Sequence, residues 1–155
     1  MNTRDAILRA APVLAQYADP QDGLLRAGLS KEQAHDAVRF LPLAFGRDVL
    51  DGIGVAFSDT YVRIVDGQQE ERALNDEPFF REARTLARVV ATEVGFDTYN
   101  AIAMQSSEFQ ALNNALNAGA EVENLVAGPP MVMCEGFAAA AAAKPEKKPW
   151  WKVWG

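Results

Sequence analysis

The chain has 155 residues, of which 49% are hydrophobic and 23% are charged. These are the values of one ordinary globular domain, and they exclude a fibrous or wholly disordered chain. The single cysteine, Cys134, excludes an intramolecular disulfide and favours a reducing compartment. Residues 1–9 lack a signal-peptide pattern, and no run approaches the roughly 18 apolar residues of a membrane span, so we expect a cytoplasmic protein.

Charge is divided unevenly along the sequence. Residues 144–155 contain four lysines and one glutamate, a charge of +3, so the total of −6 leaves −9 on residues 1–143. A folded part this acidic repels phosphate backbones. We therefore expect no nucleic acid partner.

Two helical signals open the chain. Thr3 is suited to begin a helix over residues 3–18, with Pro12 either kinking it or marking a fresh first turn. Asp19-Pro20 combines an N-cap residue with a favoured first position, and Gly28 is suited to end the short segment that follows.

The next helix has the most complete start signal. Ser30 and Gln33 form a capping-box pattern, and apolar residues then recur at helical spacing up to Leu41. Proline removes a backbone donor inside a helix, so we expect Pro42 to interrupt this one. A second, offset helix is expected to follow up to Leu50.

A strand pattern replaces the helical one after Gly52. Residues 61–65 are rich in β-branched and aromatic side chains, and Asp66-Gly67 is a strong hairpin turn. Residues 68–74 are too polar for a central strand. We expect a small edge hairpin, or one strand and a loop.

The longest uninterrupted helix predicted from the spacing of apolar residues begins at Pro78 and ends at Gly95. Its buried face is predicted to contain Phe79, Phe80, Ala83, Leu86, Ala87, Val90 and Val94.

Two shorter helices and one strand are predicted after it. Asp97 is suited to cap a helix through Gln105, and Ser107 with Gln110 has the capping-box pattern of a helix that ends at Gly119. The apolar residues 131–134 suit a buried strand.

These elements predict a mainly α fold with a small β-hairpin. We expect a single globular domain over residues 1–137, a linker rich in alanine, lysine and proline over residues 138–149, and a tryptophan-rich C-terminal peptide over residues 150–155. The prolines of the linker prevent a helix from continuing into that peptide.

The peptide is the strongest candidate for a binding element. It contains all three tryptophans of the chain, and tryptophan is the residue type most enriched in interface hot spots. We predict that the peptide docks onto a protein surface, which is the body of the same chain, another copy of it or a partner. The residues that make this contact are Trp150, Trp151, Lys152, Val153 and Trp154.

Arg81, Arg84 and Arg88 recur at helical spacing, on the side of their helix away from the apolar residues. Such guanidinium groups can bind a carboxylate or phosphate, which makes them a possible anion site. The alternative, which we adopt, is ion pairing with the acids of the body. Asp48 and Asp51 can share a helix face as an acid/base or cation-binding pair, but we interpret them as a solvated face.

No catalytic or metal motif is present. His35, the only histidine, lies one helical turn from both Lys31 and Arg39, a cationic surrounding that disfavours a metal ion. Gly52-Ile53-Gly54 lacks the third glycine of a dinucleotide-binding loop, because Phe57 stands there. We predict no catalytic residue, metal or cofactor.

The sequence thus favours a non-enzymatic cytosolic interaction or adaptor protein that docks through its tryptophan-rich peptide. Peripheral association with anionic membranes, through the lysines and tryptophans of residues 144–155, is the first alternative. A small-ligand binder or enzyme with a cleft of arginines and aspartates is the second.

Overall fold

The computed structural model describes residues 1–16, 20–127 and 131–133. Within these ranges the chain is mainly α-helical, as predicted, with six α-helices and five short strands. The helices are α1 (Thr3–Gln16), α2 (Gln21–Arg26), α3 (Lys31–Gly52), α4 (Pro78–Val89), α5 (Phe96–Ala103) and α6 (Ser107–Asn117). The strands are β1 (Ala56–Phe57), β2 (Thr60–Val65), β3 (Gln68–Ala73), β4 (Val126–Ala127) and β5 (Met131–Met133). Asp19, Cys134, the linker and the tryptophan-rich peptide lie outside the described residues.

The longest helix, α3, begins at the predicted capping box. Gln33 N donates to Ser30 Oγ over 3.1 Å, and Ser30 N donates to Gln33 Oε1 over 3.0 Å. Pro42 lies inside this helix, so the expected interruption is wrong. The proline deprives one carbonyl of its helical donor, but residues 40–47 are all buried, and their burial outweighs that loss.

The main core forms where α1, α4 and α5 pack against α3. Its largest fully buried side chains include Phe40 and Phe45 from α3, Tyr61 from β2, Ile7 and Leu14 from α1, Leu86 from α4, and Ile102 from α5. The buried residues of α4 are those that the spacing predicts, except that Val94 is only partly buried. The helical path of α4 continues through a π-helical turn, Val90–Val94, to Gly95.

Three predicted helix starts differ from the structure by one or two residues. Pro20 occupies the N-cap position of α2, not the first helical position predicted for it. Gly95 has a φ of 142° and occupies the N-cap position of α5, so Asp97 lies in the first turn and is not the cap. Ser106, not Ser107, caps α6, because its Oγ accepts a hydrogen bond from Phe109 N over 3.2 Å.

A second, smaller core attaches α6 to α3. It joins Leu50, Val55 and Phe109. Gly46 makes this approach possible, because a Cβ at that position would lie 3.0 Å from Phe109 Cβ and 3.1 Å from Ser106 Cβ. A side chain at position 46 would therefore force Ser106 and Phe109 to shift by at least a few tenths of an ångström.

The hairpin forms as predicted. Strands β2 and β3 pair antiparallel from Thr60↔Ala73 to Val65↔Gln68, and both turn residues have positive φ, 52° at Asp66 and 78° at Gly67. Strand β5 pairs parallel to β2 on its other side, so β3 is an edge strand, and its exposed residues fit that place. Strands β1 and β4 form a separate parallel pair.

Across the described ranges, no helix combines the length and the apolar composition that crossing a bilayer requires.

Replacement of Leu86 tests the packing of α4 on α3. Leu86 is 1% exposed, so Leu86→Ala is expected to lower the free energy of unfolding by about 2–5 kcal/mol. Leu25 is 40% exposed, and the matched control Leu25→Ala is expected to cost less than about 1 kcal/mol. Urea denaturation followed by circular dichroism measures both. Equal losses in the two variants would contradict this core.

Candidate functional site

A cleft of about 480 Å³ opens where the end of α3 and the start of α4 meet β1. This volume falls within the range of about 300–1,000 Å³ that is common for small-molecule sites. Charged side chains on its walls come from Asp51 of α3, Arg81 and Arg84 of α4, and Asp59 of the loop before β2. The cleft therefore places cationic and anionic groups side by side.

The same cleft has an apolar lining. Val55, Leu74 and Phe80 line it and are between 2% and 6% exposed. Phe57 of β1 adds an aromatic ring. A ligand that enters the cleft meets buried apolar surface next to the charged groups.

Two of the three sequence-predicted arginines contact the aspartates of α3. Arg84 Nη2 is 3.4 Å from Asp51 Oδ2, and Arg88 Nη2 is 3.6 Å from Asp48 Oδ2. Both distances are long for charge-assisted hydrogen bonds, and the arginine side chains are 30% and 71% exposed. Each pair therefore contributes only about 0–1 kcal/mol to the stability of the fold.

Arg81 is oriented by the main chain. Its Nη1 donates to the carbonyl oxygen of Asn75 over 2.6 Å, which holds the exposed guanidinium at the cleft. Arg88 is absent from the described residues that line the cleft. The structure thus brings Arg81 and Arg84 to one cleft and leaves Arg88 outside it.

Arg47 also lines the cleft, and its buried contacts were not predicted from the sequence. Its Nε and Nη2 bind the two carboxylate oxygens of Glu108 at 2.8 and 2.9 Å, and its Nη1 donates to the Ser58 carbonyl oxygen over 2.8 Å. Its guanidinium carbon lies 4.7 Å from the centre of the Phe57 ring. These contacts occupy the side chain, so Arg47 supports the wall. An arginine that directly follows the uncharged, apolar residues 40–46 is the sequence feature that indicates such a buried pair.

Asp48 belongs to a different cluster from Asp51. Tyr99 Oη donates to Asp48 Oδ2 over 2.5 Å, and the Asp48 side chain is 15% exposed. Burial, together with this hydrogen bond, raises the pKa of Tyr99. The two aspartates therefore have separate partners, Tyr99 and Arg88 for one and Arg84 for the other.

His35 lies on α3 among positive charges, as the sequence indicates. Partial burial, then the charges of Arg39 and Lys31, lower its pKa below the ordinary 6.5. In the described part of the chain, no group of three or more histidine, cysteine, aspartate or glutamate side chains is arranged to hold a metal ion.

No protein-family model, curated protein or solved structure matches this chain. The five predicted partner-binding residues of the tryptophan-rich peptide lie outside the described residues.

The buried pair and the cleft pair are expected to differ in their effect on stability. Glu108→Gln should destabilise the fold by about 3–5 kcal/mol, because it leaves the 4% exposed Arg47 side chain without a counter-charge. Asp51→Asn, at a side chain that is 63% exposed, should change stability by less than about 1 kcal/mol. Urea denaturation at neutral pH measures both, and a loss in Asp51→Asn as large as that in Glu108→Gln would contradict these environments.

His35 is expected to titrate below pH 6.5. The folded state disfavours the protonated imidazole, so the contribution of His35 to stability is complete above pH 6.5 and is lost as the pH falls through its lowered pKa. Arg39→Gln should raise the midpoint, because it removes a nearby positive charge. Proton NMR follows the titration without ambiguity, since the chain has one histidine. A midpoint at or above 6.5 in the unaltered protein would overturn this prediction.

Proposed function

We propose that the chain is a non-enzymatic cytoplasmic interaction protein that binds a protein partner, or a second copy, through residues 150–154. The distribution of tryptophan carries this proposal, because all three lie in that peptide and none lies in residues 1–149. The largest fully buried side chains of the described core are tyrosine, phenylalanine, isoleucine, leucine and valine. The core is thus filled by other residue types.

The energy available from the peptide suits a reversible contact. Burying one large apolar side chain is worth about 1.5–3 kcal/mol, so three supply roughly 5–9 kcal/mol before the cost of ordering the peptide. The remainder corresponds to a weak to micromolar dissociation constant. Such affinities are adequate for an adaptor that exchanges partners.

The positive charge of the C-terminal residues favours a partner whose binding surface is acidic. The +3 of residues 144–155 is attracted to acidic proteins, among them the body of another copy, whose residues 1–143 carry −9. Exposed acids of the hairpin, Asp66, Glu70 and Glu71, are examples of the groups that such a surface offers. The attraction is expected to weaken as salt is raised.

Tryptophan fluorescence of the full-length protein tests the proposal, because every tryptophan lies in the peptide. We expect the emission maximum to move to shorter wavelength as the protein is concentrated or mixed with cell extract, since binding removes the indoles from water. Emission that stays at the wavelength of free tryptophan under all these conditions would contradict the proposal.

Sedimentation separates the partner classes. Simultaneous replacement of Trp150, Trp151 and Trp154 by alanine should abolish complex formation, whereas Phe96→Ala, at a body position that is 63% exposed, should leave it unchanged. Co-sedimentation with anionic vesicles in place of protein complexes would instead assign the peptide to a membrane surface.

A further inference from the structure

The contact between Arg84 and Asp51 leaves most of the bonding capacity of both groups unused. It joins one nitrogen and one oxygen over 3.4 Å, and the Asp51 side chain is 63% exposed. A guanidinium offers five donors and a carboxylate about four acceptor sites. Both groups line the cleft, so they can bind a ligand that offers the opposite charges.

A second guanidinium stands one helical turn away. Arg81 and Arg84 are three residues apart on α4, and both line the cleft. The Asn75 carbonyl holds Arg81 through Nη1 only. Together the two arginines provide the donors that a carboxylate accepts in bidentate contacts.

A ligand with a single charge would leave the cleft with an uncompensated net charge. An anion without a positive group competes with Asp51 for Arg84. Once bound, it lies beside the negative charge of Asp51. A plain cation that binds Asp51 lies beside Arg81 and Arg84. A zwitterion provides each group with a new partner and keeps the local charge neutral.

We propose that the cleft binds a free α-amino acid with an apolar side chain. Its carboxylate is held by Arg81 and Arg84, its ammonium group by Asp51, and its side chain by the apolar lining of Leu74 and Phe80. In an α-amino acid the ammonium and carboxylate groups are attached to the same carbon atom. This short separation matches the short separation of Arg84 and Asp51 in the cleft. This site is independent of the tryptophan-rich peptide.

Calorimetric titration of the full-length protein with L-leucine tests this proposal. We expect saturable binding of L-leucine, with isocaproate, which lacks the ammonium group, and isoamylamine, which lacks the carboxylate, at least about tenfold weaker. Equal affinity for isocaproate would overturn the zwitterion site in favour of a plain anion site. The absence of saturable L-leucine binding would overturn it altogether.

Variants assign the binding to the cleft. Arg84→Gln and Asp51→Asn should each weaken L-leucine binding about tenfold or more, because each removes one charge-assisted contact. Arg88→Gln is the matched control, since Arg88 lies on the same helix and also contacts an aspartate of α3 but does not line the cleft. Equal weakening in Arg84→Gln and Arg88→Gln would overturn the assignment.

Circular dichroism confirms that each variant is folded. The change in tryptophan fluorescence on partner binding should persist in Arg84→Gln, which keeps this test separate from that of the peptide.

Discussion

Burial of α3 along its middle is the constraint on which the rest of the fold depends. Residues 40–47 are buried on every side of the helix, so each face requires a neighbour. The helices α1, α4, α5 and α6 supply these neighbours. Arg47 is the only charged residue of this stretch, and its burial requires the carboxylate that Glu108 brings from α6. Apolar packing places α1, α4 and α5, whereas α6 is held both by the smaller core around Phe109 and by the ion pair of Arg47 with Glu108.

The cleft is a consequence of where α3 leaves this core. Its middle is enclosed, but its last two residues, Asp51 and Gly52, are exposed. Helix α4 runs beside that turn and contributes its arginines there. A single helix therefore provides the centre of the core and one charged wall of the cleft. This arrangement places polar groups on a rigid support, which is the usual condition for a binding site whose shape is formed in advance.

Local signals identified most elements, because they act within a few residues of one another. The box at Ser30 and the Asp66-Gly67 turn are such signals, and both are present in the structure. The interruption predicted at Pro42 is wrong, because the burial that stabilises α3 comes from segments distant in sequence. The predicted arginines and Asp51 lie at the surface, but the Asp48 side chain is only 15% exposed, so the solvated face expected for it is wrong. Which arginine meets which aspartate depends on how α3 packs on α4. The Arg47–Glu108 pair spans 61 residues and was therefore beyond the reach of local patterns.

Gly46 has an evolutionary consequence. A β-carbon there would force Ser106 and Phe109 to yield by a few tenths of an ångström, and a larger side chain would push α6 outward. Such a movement would also draw Glu108 away from Arg47, the residue next to the glycine. Steric fit at one position is thus coupled to charge neutralisation at the next. In descendants of this sequence, glycine at position 46 and the charges at positions 47 and 108 are expected to be retained or lost together, whereas Arg84 and Arg88 can drift without cost to the fold.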